Sequence, residues 1–436
     1  LAKKFPNFKS YVGHQVNNKA TKIYFTINKL GFNAVITSPD FSTIYIDVYS
    51  KDLSQYIVYH RKDLENLKQF TCHTTDAEVA GPMLESSFGK ITQRNSARIF
   101  REYRLAMACT IEYASFHINR AGAQNLDIDQ KKQVVLSAMQ VTVNRVNSLY
   151  ERDMALRFNL VANNDLIIFI ESDEFSNNNS RSLINESQTV IDNYILFDNY
   201  DIGHTVSTGG GGLAQLYSPC SVNKARGITG SSSPINDPYD IDYVSHEIGH
   251  QFGATHSYNN SCDGNRSSSS AYETGSGNTI MAYAGICAPN VQSYSDDHFH
   301  NYSIVQMSAF VASSGNCSVN RAITNTPPTI STIPSYTIPY GTPFKLTANA
   351  TDAQNDALTY VWEQMDREIT TQPPVATATS GPNFKSVRPS SSPTRYFPAF
   401  SSVLDGNLSP TWEVLPSVAR PLNFAVTVRD NNTAGA

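Results

Sequence analysis

Nowhere in these 436 residues does an apolar run approach the roughly 20 residues a helix needs to cross a bilayer, so no spanning helix is expected. Charge is scarce too: Asp, Glu, Lys and Arg make up 16% of the chain, the net charge is −5, and no basic block is present. A phosphate backbone or an anionic membrane would have nothing to grip, and nucleic-acid binding is not expected. The opening residues, Leu1-Ala2-Lys3-Lys4-Phe5-Pro6, do not form a secretory signal, and the chain reads as already trimmed at its start. What is abundant points outward from the cytosol. Six cysteines among many Ser, Thr, Asn and Tyr residues fit a secreted or cell-surface protein.

The length exceeds what one hydrophobic core usually supports, so two or three domains are expected. Residues 1–97 read as a small β-rich unit, with strands at Lys22-Ile23-Tyr24-Phe25-Thr26-Ile27 and Thr43-Ile44-Tyr45-Ile46-Asp47-Val48-Tyr49. The stretch Gln93-Arg94-Asn95-Ser96-Ala97-Arg98, with Arg101 and Arg104 beyond it, reads as an exposed basic linker before a strand beginning at Leu105. Residues 98–324 alternate between strand and helix: Val134, Val135, Met139, Val143, Val146 and Tyr150 recur at helical spacing, and Leu166-Ile167-Ile168-Phe169-Ile170 reads as a short buried strand. That succession predicts an α+β unit. From Asn325-Thr326-Pro327-Pro328 to residue 436, short strands such as Thr359-Tyr360-Val361-Trp362 alternate with Pro and Gly, which predicts a β-sandwich.

Chemistry concentrates in His246-Glu247-Ile248-Gly249-His250-Gln251-Phe252-Gly253-Ala254-Thr255-His256. His246 and His250, four apart, project from one face of a helix and can grip one metal ion. Glu247 stands beside the first histidine, where its carboxylate can reach a metal-bound water without taking a coordination position. Gly253 permits the left-handed turn that ends the helix and brings His256 round as a third ligand. Three neutral nitrogens leave one position open, the mark of a catalytic rather than a structural zinc site.

This HExxHxxGxxH pattern resembles the signature of the metzincins, zinc endopeptidases in which a methionine turn underlies the metal. Thr279-Ile280-Met281-Ala282-Tyr283 supplies such a turn, and the resemblance implies that Met281 forms an apolar floor under the histidines. Tyr283 resembles the astacin and serralysin branches, where a tyrosine binds the metal or stabilises the oxyanion; packing in the wall of the site is the other reading. Tyr103-Arg104-Leu105-Ala106, the run Gly209 to Gly212, and Asp240-Ile241-Asp242-Tyr243 resemble secreted bacterial reprolysin-like proteases more closely. Ser257 departs from that branch, which has aspartate after the third histidine. The fold implied is α+β, a metzincin catalytic domain with a twisted mixed sheet, long helices and zinc in the cleft, preceded by a β-rich prodomain and followed by an Ig-like β-sandwich.

On the same resemblance, the turn and strand around Gly211, Gly212, Leu213 and Ala214 form the sheet edge above the cleft, where an extended peptide pairs by backbone hydrogen bonds; a flexible loop is the competing reading. The loop 284–292 resembles the wall of the main specificity pocket. Catalysis then rests on Glu247, which takes a proton from the attacking water and delivers it to the leaving amine.

Cys262 and Cys287 flank the segment from the third histidine to just past the methionine turn, where a disulfide would brace it; Cys220 and Cys317 form a second expected pair. Cys72, in Phe70-Thr71-Cys72-His73-Thr74, resembles a propeptide cysteine switch occupying the fourth zinc position, with His73 where the reprolysin switch has glycine. A Cys72–Cys109 disulfide is the alternative. Under the switch reading, an activating protease cuts among Arg94, Arg98, Arg101 and Arg104. One zinc ion is the expected cofactor, calcium is not readable, and the partners are protein or peptide substrates. The other functional class is an adhesin or binding module with a vestigial or structural zinc site.

Overall fold

The computed structural model describes residues 4–64, 70–74 and 99–432. At the N-terminus β1 (Lys9–Gln15), β2 (Asn18–Asn28), β3 (Gly31–Thr37), β4 (Ile44–Val48) and β5 (Tyr56–His60) form an antiparallel meander, each strand paired with the next. Connections this short force neighbouring strands antiparallel. Alternation turns Tyr24, Val35 and Tyr45 to one face, a core too small to hold a sheet on its own. The meander is therefore fastened to the rest of the chain.

The central unit begins with β6 (Ile99–Cys109), α1 (Ile111–Arg120) and α2 (Ile128–Met154). Asp127 caps α2 by accepting from the Gln130 N–H at 2.8 Å, and Ala155, in a left-handed conformation with φ of 52°, ends it. The apolar positions Val134, Val135, Met139, Val143, Val146 and Tyr150 are all buried. β7 (Leu156–Leu160), α3 (Ser180–Ile195), β8 (Ile202–Ser207), β9 (Gly212–Ala214), β10 (Gly227–Gly230), α4 (Ser245–Gln251), α5 (Asn301–Ala312) and β11 (Val319–Ala322) follow. The strands make one mixed sheet in the order β11-β6-β8-β10-β9, with β7 also on β6. β7 and β8 run parallel to β6, β10 runs parallel to β8, and β9 lies antiparallel to β10 at the edge. A Cys220–Cys317 disulfide ties the loop after β9 to the segment after α5.

Two expectations are corrected here. Leu166-Ile167-Ile168-Phe169-Ile170 is not a strand: Asn164–Ile167 form a 3-10 turn, and among the described residues its sheet contact is a single bridge from Ile168 to Cys109. The Asn164 side chain accepts from the Met107 N–H and donates to the Met107 carbonyl, both at 2.9 Å, and so takes the place on β6 that a strand backbone would need. The first strand of the central unit starts at Ile99 rather than Leu105, so Arg101 and Arg104 belong to a paired strand and not to an exposed linker. Arg104 also binds Asp201 through both its N–H and its guanidinium. The other basic positions, Arg94 and Arg98, lie outside the described residues, as does the boundary at 97.

The C-terminal region contributes β12 (Thr329–Ile330), β13 (Phe344–Thr347), β14 (Ala350–Thr351), β15 (Thr359–Gln364), β16 (Thr394–Phe397) and β17 (Phe424–Arg429). They pair in three two-stranded ladders, β12 with β14, β13 with β16 and β15 with β17, around Tyr360, Trp362, Phe384, Phe397 and Leu415. This region is bonded to the central unit: the Glu363 carboxylate caps α5 at the Asn301 N–H (2.7 Å), Arg429 meets Asp153 of α2 (2.7 Å), and the Gly275 N–H donates to Gln372 (2.8 Å).

Arginines play the same role on the N-terminal side. Arg145, buried in α2, bridges Asp47 of β4 at 2.5 Å and Asp240 at 2.8 Å. Arg61, just after β5, meets Asp237 and also Asp242 (2.5 Å), and its Nε donates to the Ser295 carbonyl at 2.7 Å. Asp237, Asp240 and Asp242 lie in or next to the wide helical turn Pro238–Val244 that runs directly into α4.

Candidate metal centre

α4 carries His246 and His250 on one face, and Gly249 between them lets Met281 approach: a Cβ there would lie 2.5 Å from Met281 Sδ. The helix stops at Gly253, whose φ is +91° and whose missing Cβ would collide with the Tyr217 ring at 2.2 Å. Both constraints exclude other residues. Gly253→Ala is expected to destabilise the fold by more than about 1 kcal/mol, read as a lowered denaturation midpoint; an unchanged midpoint would mean that the turn tolerates a Cβ.

The reversed chain brings His256 back onto the pair. The three Nε2 atoms stand 3.0 Å (His246–His250), 3.1 Å (His250–His256) and 3.3 Å (His246–His256) apart. Each Nδ1 faces a backbone carbonyl: His246 faces Ile280 (2.7 Å), His250 faces Ala254 (2.7 Å) and His256 faces Asn265 (2.8 Å). A carbonyl accepts only, so each Nδ1 carries the proton and each Nε2 presents a lone pair inward. Burial holds His246 down to about 4 and, with the charge of neighbouring imidazoles, holds His250 and His256 well below the ordinary value. Three buried lone pairs facing one another repel unless a cation lies among them. Zinc bonds to nitrogen of about 2.0–2.1 Å in tetrahedral geometry put ligand nitrogens about 3.3 Å apart, so these residues fit that ion.

A fourth donor completes the group. Cys72 Sγ lies 3.6 Å from His250 Nε2, and the four ligand atoms of Cys72, His246, His250 and His256 fall within 4.8 Å of one another, all buried. Cys109 is elsewhere, buried in β6 and unbonded to Cys72, which removes the alternative disulfide. Cys72 arrives on a short stretch laid along β9: the Gly212 N–H donates to the Thr71 carbonyl (2.9 Å), the His73 N–H to the Gly212 carbonyl (2.8 Å), and the Ala214 N–H to Thr74 Oγ1 (2.9 Å). The glycines admit this chain, since a Cβ at Gly211 would meet the Thr71 carbonyl oxygen at 2.3 Å and one at Gly212 would meet Glu247 Oε1 at 1.9 Å.

Glu247 points its carboxylate into the same space. Oε2 accepts a long bond from Thr74 Oγ1 (3.5 Å), whereas Oε1 is buried without a partner among the described residues. Burial raises its carboxyl to about 8. Buried polar atoms are normally satisfied, so a carboxylate oxygen without a partner next to a metal-ligand cluster makes Glu247 the candidate acid–base group of this site.

Residues 136–257 match the family described as Metallo-peptidase family M12B Reprolysin-like. The chain therefore contains a reprolysin-like zinc metallopeptidase segment. The matched segment opens inside α2 and ends one residue past His256; a search among curated proteins finds no match.

Beneath the peptidase's histidines, Met281 is fully buried and its carbonyl accepts from the Ser257 N–H at 3.1 Å. Tyr283 lies next to this group. Its hydroxyl donates to the Cys72 carbonyl (3.2 Å) and accepts from Asn265 Nδ2 (2.5 Å), and its ring lies 4.7 Å from that of His256. At Ser257, where the reprolysin branch has aspartate, Oγ donates to Glu273 (2.5 Å), whose carboxylate also takes the N–H groups of Asn278 (2.8 Å) and Thr279 (3.0 Å). Glu273 thereby links the third histidine's neighbour to the methionine turn. Asn265 and Glu273 carry no sequence signal, because both sit in a Ser-, Asn- and Gly-rich stretch without periodicity. A Cys262–Cys287 disulfide closes the loop that holds them.

Proposed function

We propose that the chain is the latent form of a secreted endopeptidase acting on extended protein substrates, with residues 1–97 as propeptide, 98–324 as catalytic domain and 325–436 as an Ig-like β-sandwich. The observation that carries this reading is Cys72: it joins three histidines at one point while its own backbone occupies the edge strand a substrate would use. His246, His250 and His256 hold the zinc, and Cys72 fills the remaining position until the propeptide leaves. Bound there, zinc supplies a Lewis acid that polarises a carbonyl and brings the acidity of water near neutral pH.

The chain's own residues do the rest. Gly211, Gly212, Leu213 and Ala214 offer an unpaired edge to an extended peptide once residues 71–74 withdraw, which orients the scissile bond without reading much sequence. Glu247 takes a proton at Oε1 from the attacking water and returns it to the leaving amine nitrogen. Tyr283, freed from the Cys72 carbonyl, has its hydroxyl available to the substrate carbonyl. Two disulfides support an oxidising, extracellular location. Activation requires a cut in residues 75–98, since Arg101 and Arg104 are paired in β6.

Cys72→Ala in the full chain tests the latency. The variant is expected to digest denatured casein without prior proteolysis, with activity lost to a chelator and restored by zinc. Cys72→Ala as inert as the parent, while limited proteolysis activates both, would show that the thiol does not hold the enzyme silent. Activity in neither, before or after proteolysis, would favour the structural-zinc reading.

A further inference from the structure

Two residues before Cys72, Phe70 is buried with its ring parallel to that of Tyr243, centroids 4.0 Å and planes 6° apart. In an extended chain, side chains two apart share a face, so Phe70 points toward the catalytic helix as Cys72 does. Tyr243 belongs to the wide turn that leads into α4, three residues ahead of His246. The position of the Phe70 ring is fixed by Gly212: a Cβ there would meet Phe70 Cζ at 2.6 Å and Glu247 Oε1 at 1.9 Å. Ring edge and catalytic carboxylate thus border the same point on the edge strand. A core ring could pack anywhere in the interior; this one lies between the strand that aligns substrate and the group that moves protons.

We propose that the activated cleft contains an aromatic-accepting subsite beside Glu247, with Tyr243 as its flat wall, and that Phe70 is its occupant in the latent form. The inference rests on the proposed function and adds a substrate class: extended peptides with Phe or Tyr within two residues of the cleaved bond. A parallel aromatic face rewards a planar side chain over an aliphatic one of similar size, because stacking adds to area burial. Withdrawal of residues 70–74 empties this wall and the zinc position in one movement, so latency and specificity use the same short segment.

The test uses the zinc-loaded full chain after a single cut in residues 75–98 and removal of the N-terminal fragment. Digestion of a randomised peptide mixture is expected to enrich Phe and Tyr at one position within two residues of the cut. For a matched pair of peptides differing there as Phe or Ala, kcat/KM should favour Phe by at least about tenfold. Tyr243→Ala should erase that ratio while still cutting the Ala peptide, and Tyr243→Phe should keep it. An active enzyme without aromatic enrichment, or one whose preference survives Tyr243→Ala, would overturn the subsite and leave the peptidase reading intact.

Binding supplies a readout independent of turnover and of the folding of any Tyr243 variant. The synthetic peptide Phe-Thr-Cys-His-Thr should bind the cut protein at least about tenfold more tightly than Ala-Thr-Cys-His-Thr. Equal affinities would also reject the subsite. Absence of turnover with the difference in affinity preserved would instead count against the catalytic reading and support the aromatic pocket.

Discussion

Glu247→Gln, in the protein freed of residues 1–97, is expected to lower kcat by about 10²–10⁴ while leaving zinc content and KM nearly unchanged. The side chains are close in shape, so the amide keeps its place beside His246 and against Gly212. What it loses is basicity. Oε1 is the oxygen that has no partner among the described residues, and an amide oxygen in that position accepts no proton. A purely structural role for Glu247 predicts the reverse pattern, with altered zinc retention or stability and little change in turnover per zinc. Metal analysis and steady-state kinetics on one preparation separate the two. Turnover within threefold of the parent would remove Glu247 as the proton carrier.

The part of the site written in one short stretch was legible, because helix geometry fixes the relation of His246 to His250 and a positive φ at Gly253 turns His256 back toward them. Contacts across long sequence separations were open to more than one reading. Cys72 and His250 are 178 residues apart, and the sequence left a Cys72–Cys109 disulfide as the alternative; in the structure both cysteines are free and the Cys72 thiol lies 3.6 Å from His250 Nε2. The apolar run at Leu166-Ile170 has the composition of a strand, yet the Asn164 amide, hydrogen-bonded to Met107, holds the chain in a turn. Glu273 shows a third kind of loss. Its carboxylate binds both Ser257, directly after the third histidine, and the N–H groups of Asn278 and Thr279 at the methionine turn, yet it lies sixteen positions past Ser257 in a stretch without periodicity.

Arg61 was equally invisible, since nothing local distinguishes a buried arginine from an exposed one. Arg61→Met is expected to destabilise the full chain by about 3–5 kcal/mol at neutral pH, because it leaves Asp237 and Asp242 buried without their counter-charge. The effect should depend on pH. Burial, only partly countered by Arg61 and reinforced by Asp237, already raises the Asp242 carboxyl to about 7, against an ordinary value near about 4. A carboxyl raised in the folded state favours folding fully below its unfolded value and loses that contribution as pH rises through the folded one. Without the guanidinium both carboxyls move further up, so the cost of Arg61→Met should be small near pH 5 and greatest above pH 7. Denaturation midpoints of parent and variant at pH 5 and pH 8 measure this directly. A difference that is equal at both pH values would show that Arg61 contributes by packing against Tyr45 and Tyr294 rather than by charge. If the charge account holds, the N-terminal segment is fastened by Cys72 at the histidines, by Arg61 at the turn feeding α4 and by Asp47 to Arg145 of α2. A cut in residues 75–98 would then open the covalent link while the Arg61 contact still holds the fragment in place, and release would be faster at the pH where Asp237 and Asp242 take up protons.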